Sequence, residues 1–247
     1  MRTMTNKRKP YRYLVGDKHR GLPVNNKGGN LLNKRLNALN SLVATAMEDH
    51  RRLLFARFDL RLPQGLEVNT SEITNRFIRK LKKLWNAPRR GKLHYIWCKE
   101  REKAKGDHWH FGFIIDDAEN RYHHLAEQVD KAWRYAVSPE NTENNKTGLV
   151  QRVRYMDGIS KRTNRLEVAE VIYWWSYLCK HREDAEVTRG NFRTSRVDRN
   201  AILDLALTED EKQQAVKNNR NYVTTRDIET KEKARFNKNK KNYIMGR

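Results

Sequence analysis

In the run 108–115, HWHFGFII, polar and apolar demands fall on opposite sides of one extended segment. Side chains alternate along a strand, so His108 and His110 project one way while Trp109, Phe111, Phe113 and Ile115 project the other. An aromatic face must be covered by another layer. Two buried imidazoles on the opposite face are costly unless they find polar partners or a metal ion. The chain is therefore expected to build a two-faced sheet whose histidine side is a candidate site.

The flanking segments read as follows. Residues 30–50 place Leu31, Leu32, Leu36, Leu39, Val43 and Met47 at helical spacing. Residues 53–62, LLFARFDLRL, alternate apolar positions against Arg57, Asp59 and Arg61 as a half-buried strand does, and Pro63-Gln64-Gly65 ends it. Asn69-Thr70-Ser71-Glu72 has the composition of a helix start, followed by the stripe Ile73, Phe77, Leu81, Leu84 and Trp85. Residues 93–100 form a second strand, and a charged turn at 102–107 folds the histidine strand back on it as a hairpin. A helix over 123–137, a polar loop (SPENTENNKTG), a strand over 149–155 and a helix over 166–181 complete the series. Strands interleaved with helices and joined by one hairpin predict an α+β fold, a central antiparallel or mixed sheet with packed helices. The expected organisation is a basic N-terminal arm over 1–29, a domain over 30–181, and a basic, partly helical or disordered tail over 182–247.

Charge narrows the partner. The 52 Lys and Arg against 30 Asp and Glu leave a formal net charge of +22, an excess that repels itself unless a polyanion compensates it. Nucleic acid is the expected partner rather than a membrane, because no stretch approaches the ~18 consecutive apolar residues of a spanning helix. A soluble protein of the cytoplasm is expected. Cys98 and Cys179 are too few for a disulfide scaffold and are expected to be reduced and at least half-buried.

A catalytic metal needs about three protein ligands and room for substrate. His108 and His110 supply two. Glu100, eight residues before His108 and just across the turn, is the candidate third, with Glu102 as its substitute. Asp107 points to the wrong face by parity. His94 shares the face of Glu100 and is a candidate outer partner; His19, His50, His123, His124 and His181 are read as solvent-facing or nucleic-acid contacts. Two nitrogens and one oxygen suit Mn²⁺ readily, Mg²⁺ in the presence of phosphate, and Zn²⁺ or another transition metal by affinity order; the ligand types do not choose among them, and Mn²⁺ or Mg²⁺ is the first expectation.

In VAEVIYWWSYLCKH, Tyr177 and Lys180 are three apart and share a helix face. A phenol with pKa near 10 attacks phosphorus poorly unless its phenolate is stabilised, and Lys180 offers the charge. Tyr173, four residues before Tyr177, is the rival: a second nucleophile, a core residue or a DNA-stacking residue. Trp174 and Trp175 read as packing residues.

The combination RFDLRLP, WCKEREKAKGDHWHFGFII and YWWSYLCK resembles the inovirus replication-initiator family, whose members carry the YagK/YfjJ C-terminal domain, and more broadly the HUH endonucleases. The resemblance spans roughly 31–181. It implies an HUH-endonuclease-like (RRM/palm-like) nuclease domain, with His108 and His110 as the paired ligands and Glu100 as the upstream acidic one. Tyr177 with Lys180 matches the single-tyrosine YxxK motif, whereas Tyr173 has no equally clear counterpart. Arg57 and Asp59 fall in the family's first motif, with a structural or DNA-positioning role. Such proteins nick one strand at a replication origin, stay attached to the 5′ end through tyrosine, and leave a 3′ end for extension. The implied partners are single-stranded or hairpin origin DNA, a host helicase and a host polymerase. No GxxxxGK[ST] run occurs, so strand separation falls to the host enzyme, as suits a phage, satellite or integrated element. The competing readings are a non-enzymatic DNA-binding regulator, a transposase of the same chemistry, and an iron oxygenase, the last disfavoured by the charge. The oligomeric state is left open.

Overall fold

The computed structural model describes residues 13–27, 29–63, 69–85, 91–102, 106–117, 121–138, 149–160, 164–181 and 191–220. Residues 1–12 of the expected arm, 139–148 of the expected loop and the basic tail from 230 onward lie outside them. The elements are β1 (Lys18–His19), β2 (Leu22–Pro23), α1 (Asn33–Asp49), β3 (Arg52–Arg61), α2 (Thr70–Trp85), β4 (His94–Glu102), β5 (Gly106–Asp116), α3 (Arg121–Val137), β6 (Leu149–Ser160), α4 (Arg165–Trp175), a 3-10 turn (Ser176–Cys179), β7 (Phe192–Thr194) and α5 (Glu209–Arg220). The fold is α+β. Its main sheet has the order β6-β3-β5-β4-β7 with every neighbour antiparallel, and β1 and β2 form a small separate hairpin.

Strand parity divides the core in two. Leu54, Ala56, Phe58 and Leu60 of β3, Tyr95 and Trp97 of β4, and Trp109, Phe111, Phe113 and Ile115 of β5 pack beneath α2 and α3. Phe77 meets Phe111 and Trp133 edge-on, at 4.9 and 5.6 Å between centroids, which locks both helices to this face. On the other face Leu53, Phe55, Ile96, Cys98 and Ile114 pack under α1 and α4. The helices start where local chemistry permits. Asn69 Oδ1 accepts from the backbone N–H of Ser71 and Glu72 at the head of α2, and Thr208 and Glu211 exchange side-chain-to-backbone bonds at the head of α5.

Gly112 determines how closely α4 approaches. It lies on the histidine face of β5, and a Cβ there would stand 2.9 Å from the Trp175 indole and 3.0 Å from Ile96. The indole of Trp175, fully buried and edge-on to Phe55 at 5.6 Å, thus rests on bare strand backbone. Trp174, half-buried, has the Arg154 guanidinium 4.8 Å over its ring.

Three segments depart from the expected organisation. The helix anticipated over 166–181 is an α-helix only to Trp175 and tightens into a 3-10 turn that carries Tyr177. Part of the expected N-terminal arm is folded. Arg20 and Gly21, both at positive φ, make the tight turn of the β1–β2 hairpin, and Leu22 and Val24 are core residues. Beyond residue 181, β7 adds an edge strand to the sheet, while Ala201, Leu203, Leu205 and Ala215 join the core under α4. Among the described residues, no helix is long and apolar enough to cross a membrane.

Candidate metal centre and tyrosine

The β4–β5 hairpin is registered so that Glu100 pairs directly with His108 and Cys98 with His110. This puts all three candidate ligands on one face, across a single ladder. Glu100 Oε2 lies 3.2 Å from His108 Nε2 and 3.1 Å from His110 Nε2, and the two Nε2 atoms are 3.2 Å apart. The three are buried and converge as a potential metal-binding group. Octahedral ligands about 2.1 Å from a small divalent cation sit about 3.0 Å apart when adjacent, so this triangle matches one face of such a site. The donor set, two imidazoles and a carboxylate, fits the same kind of ion.

Neighbouring β3 supplies the next layer. Asp59 is the cross-strand partner of His110, and His110 Nδ1 lies 2.7 Å from Asp59 Oδ1. Arg57 Nη2 also lies 3.0 Å from that nitrogen, but Nδ1 cannot donate to Asp59 and accept from Arg57 at once. The shorter, charged contact assigns the proton to Nδ1 and directs the Nε2 lone pair at Glu100 and His108. Arg57 in turn donates to both oxygens of Asp59, at 3.1 and 3.4 Å.

The electrostatics follow. Burial resists a charge on His110, yet its hydrogen bonds to Asp59 and Glu100 outweigh that cost and raise its pKa. For Asp59, burial would lift the pKa, but the His110 hydrogen bond and the Arg57 charge hold it below the ordinary carboxylate value.

Tyr177 is half-buried and lies beside His110. Its ring meets His110 edge-on at 5.7 Å between centroids, with the Arg57 guanidinium 5.1 Å and Lys180 Nζ 4.5 Å from the ring centre. Residues three apart eclipse in a 3-10 turn, which brings Lys180 over Tyr177. The segment before α1 straps the turn down. Asn25 N–H donates to Ser176 Oγ (2.7 Å), Leu32 N–H to the Cys179 carbonyl (3.1 Å) and His181 N–H to the Asn30 carbonyl (2.7 Å). Lys180 Nζ donates to the Lys27 carbonyl, and Arg35 donates to the Lys180 carbonyl (2.8 Å).

The remaining expected residues lie elsewhere. Tyr173 is buried and lines a separate cleft of about 290 Å³ with Lys18, Glu209 and Lys212. Glu102 pairs with Gly106, one pleat nearer the turn than Glu100. Asp107 sits 3.8 Å from both Lys99 and Arg101, away from the histidines as parity requires. His94, expected as an outer partner of the centre, instead lies 3.1 Å from Asp49 and edge-on to His50 at 5.4 Å, six residues up β4 from Glu100. His19 and His50 are buried rather than solvent-facing: His19 contacts Asn40 (3.2 Å), and His50 contacts the Lys92 carbonyl (3.1 Å). Cys98 and Cys179 are both buried, and burial pushes the Cys179 thiol up. The contribution of Asp59 to orienting His110 went unread in the sequence. Arg57 and Asp59 repeat on β3 the i, i+2 polar alternation of the histidine strand, but that alternation does not say which strand β3 pairs with.

No curated protein and no solved structure matches the chain. The family model of the YagK/YfjJ C-terminal domain matches residues 17–195, from the residue before β1 to the one after β7, so that the centre, the tyrosine turn and the strap all lie inside it. The chain belongs to the YagK/YfjJ C-terminal domain family.

Proposed function

We propose that this protein is an HUH-type, tyrosine-dependent single-stranded DNA endonuclease and transesterase that initiates rolling-circle-type replication of a phage, satellite or integrated element. The observation that carries this reading is the seating of Tyr177 edge-on to His110, one of the three residues of the Glu100–His108–His110 group. Glu100, His108 and His110 would hold the cation, Mn²⁺ or Mg²⁺. When bound, the ion would draw electron density from a non-bridging phosphate oxygen.

The chain's own groups supply the rest. Arg57 and Lys180 favour the phenolate of Tyr177 by their charge, and Asp59 holds His110 in the tautomer a ligand needs. The phenolic oxygen bonds to phosphorus as the P–O3′ bond breaks, and the proton given up by the phenol ends on the 3′ oxygen. One phosphodiester replaces another, so rejoining needs no ATP. The net charge of +22 suits a DNA substrate held chiefly through its phosphates. Such an initiator would act on single-stranded or hairpin origin DNA in the cytoplasm of a bacterial host, with the host's helicase and polymerase.

The test is incubation of purified protein with labelled single-stranded DNA from beside its own gene and Mn²⁺. The expected product is a protein band shifted by covalent oligonucleotide. It should vanish in Tyr177→Phe with binding nearly intact; adducts surviving that change would overturn the assignment.

One observation favours a second reading, a DNA-binding regulator on the same scaffold. A protonated His110 between Asp59 and Glu100, with Arg57 behind, forms a closed chain of ion pairs that stands without metal. Sequence-specific binding with no cleavage of any origin fragment in Mn²⁺ would select it.

A further inference from the structure

A second cluster of charge lies at the opposite end of β4 from the metal centre. Lys82 and Lys83 at the end of α2, Lys92 just before β4 and Arg196 just after β7 converge on one cleft of about 660 Å³. All four side chains are exposed, and Arg196 lies more than a hundred residues further along the chain than the three lysines. Asp49 offsets one of the charges, lying 2.5 Å from Lys92 and 3.1 Å from His94 on the cleft wall. The rim is not loose. Ser195 is bonded to Tyr95 through both its backbone N–H (2.7 Å) and its hydroxyl (3.2 Å), which fixes the chain at Arg196 to the edge of the sheet. Lys82 Nζ sits 5.3 Å over the Tyr95 ring.

We infer that this cleft is a phosphodiester-backbone clamp for DNA flanking the reacting site. The inference rests on the proposed reading only in taking DNA as the ligand. Three of the four cations are lysines, compact point charges of the kind that meet phosphate oxygens. Trp85, the aromatic side chain of the wall, is 2 % exposed and presents no free face for stacking a base. What remains is charge, concavity and a rigid rim, which grip a backbone irrespective of sequence. From His94 to Glu100 is six residues of strand, roughly 20 Å at 3.3 Å per residue. The paired stem of a hairpin origin covers that distance in about six base pairs at 3.4 Å each. The cleft would therefore engage phosphates about six positions from the one at the metal centre.

The test is DNA binding by fluorescence anisotropy in EDTA across a KCl series, so that no cleavage is needed. The triple variant Lys82→Glu, Lys83→Glu, Arg196→Glu is compared with Lys34→Glu, Lys131→Glu, Lys217→Glu, which makes the same charge change at exposed positions elsewhere. The cleft variant should lose at least tenfold more affinity than the control, and the slope of log K against log salt should fall by about two. The gain on lengthening the flank beyond about six nucleotides, present in the parent, should disappear. Equal losses in both triple variants, or an undiminished gain from the flank, would overturn the clamp. So would competition by inorganic phosphate as strong as that by the same phosphate concentration of oligonucleotide, which would mean a small-anion site. Adduct formation on a minimal oligonucleotide in Mn²⁺ is followed in parallel. Its absence from every variant would count against the nuclease reading while leaving the affinity comparison intact.

Discussion

Asp59 and His110 face each other across the β3–β5 ladder and share a 2.7 Å hydrogen bond that aims the opposite ring nitrogen at Glu100 and His108. The bond links a motif on one strand to a ligand on the next. If the triangle holds a divalent ion, Asp59→Asn should weaken it by about ten- to a hundredfold, because the ring loses both its orientation and the basicity lent by the carboxylate. Calorimetric titration with Mn²⁺ measures this. An affinity equal to the parent's would mean that Asp59 serves the fold alone.

Protons would compete with an ion held by Glu100, His108 and His110. Burial opposes protonating His110, but Asp59 and Glu100 outweigh it, so the raised pKa keeps a proton bound above the ordinary imidazole range. Apparent Mn²⁺ affinity should therefore fall as pH drops, and the fall should begin above pH ~6.5, the value for a free histidine. In Asp59→Asn the onset should move to lower pH. A flat profile between pH 6 and 8 would exclude His110 as a ligand.

The packing of Trp175 on Gly112 separates the tyrosine from the metal centre experimentally. A methyl group at 112 would meet the indole at 2.9 Å, and the indole leads directly into the turn that carries Tyr177. Gly112→Ala should cost about 1–3 kcal/mol of stability, as overpacking usually does. On the proposed nuclease reading it should reduce adduct yield more than Mn²⁺ affinity, since the candidate ligands sit on the strands and Tyr177 on the displaced element. Equal loss of both would mean that the strain spreads into the sheet.

The legible parts of the sequence were those governed by short-range periodicity. The facing of Glu100 and His108 followed from strand parity and a short turn, and the aromatic face of β5 from alternation alone. The edge strand Phe192–Thr194 has three residues and no pattern of its own; it exists because β4 offers an unpaired edge. The strap before α1 carries Leu22 and Val24 as apolar anchors among Gly, Asn, Lys and Arg, so its composition resembles a loop while its bonds hold the tyrosine turn. The change from α-helix to 3-10 turn at Ser176 left no mark either, because three-apart neighbours look alike in both forms. Asp59 became readable as a partner of His110 only once β3 was known to lie beside β5.

Acid should destabilise the fold through His94. Burial, followed by the nearby His50 charge, lowers its pKa from 6.5 to about 4, with Asp49 only partly offsetting them. An unfolded chain takes up the proton near pH 6.5, whereas the folded chain resists it until about 4. Stability should therefore fall as pH drops through that interval and level off below it. The shift corresponds to a loss on the order of 3 kcal/mol. Since other groups titrate in the same range, the informative quantity is the difference in unfolding free energy between the parent and His94→Gln, measured by urea denaturation at pH 7.5, 6 and 4.5. The parent should lose ground to the variant across this series. A constant difference would mean that His94 takes its proton as easily in the folded chain as in the unfolded one.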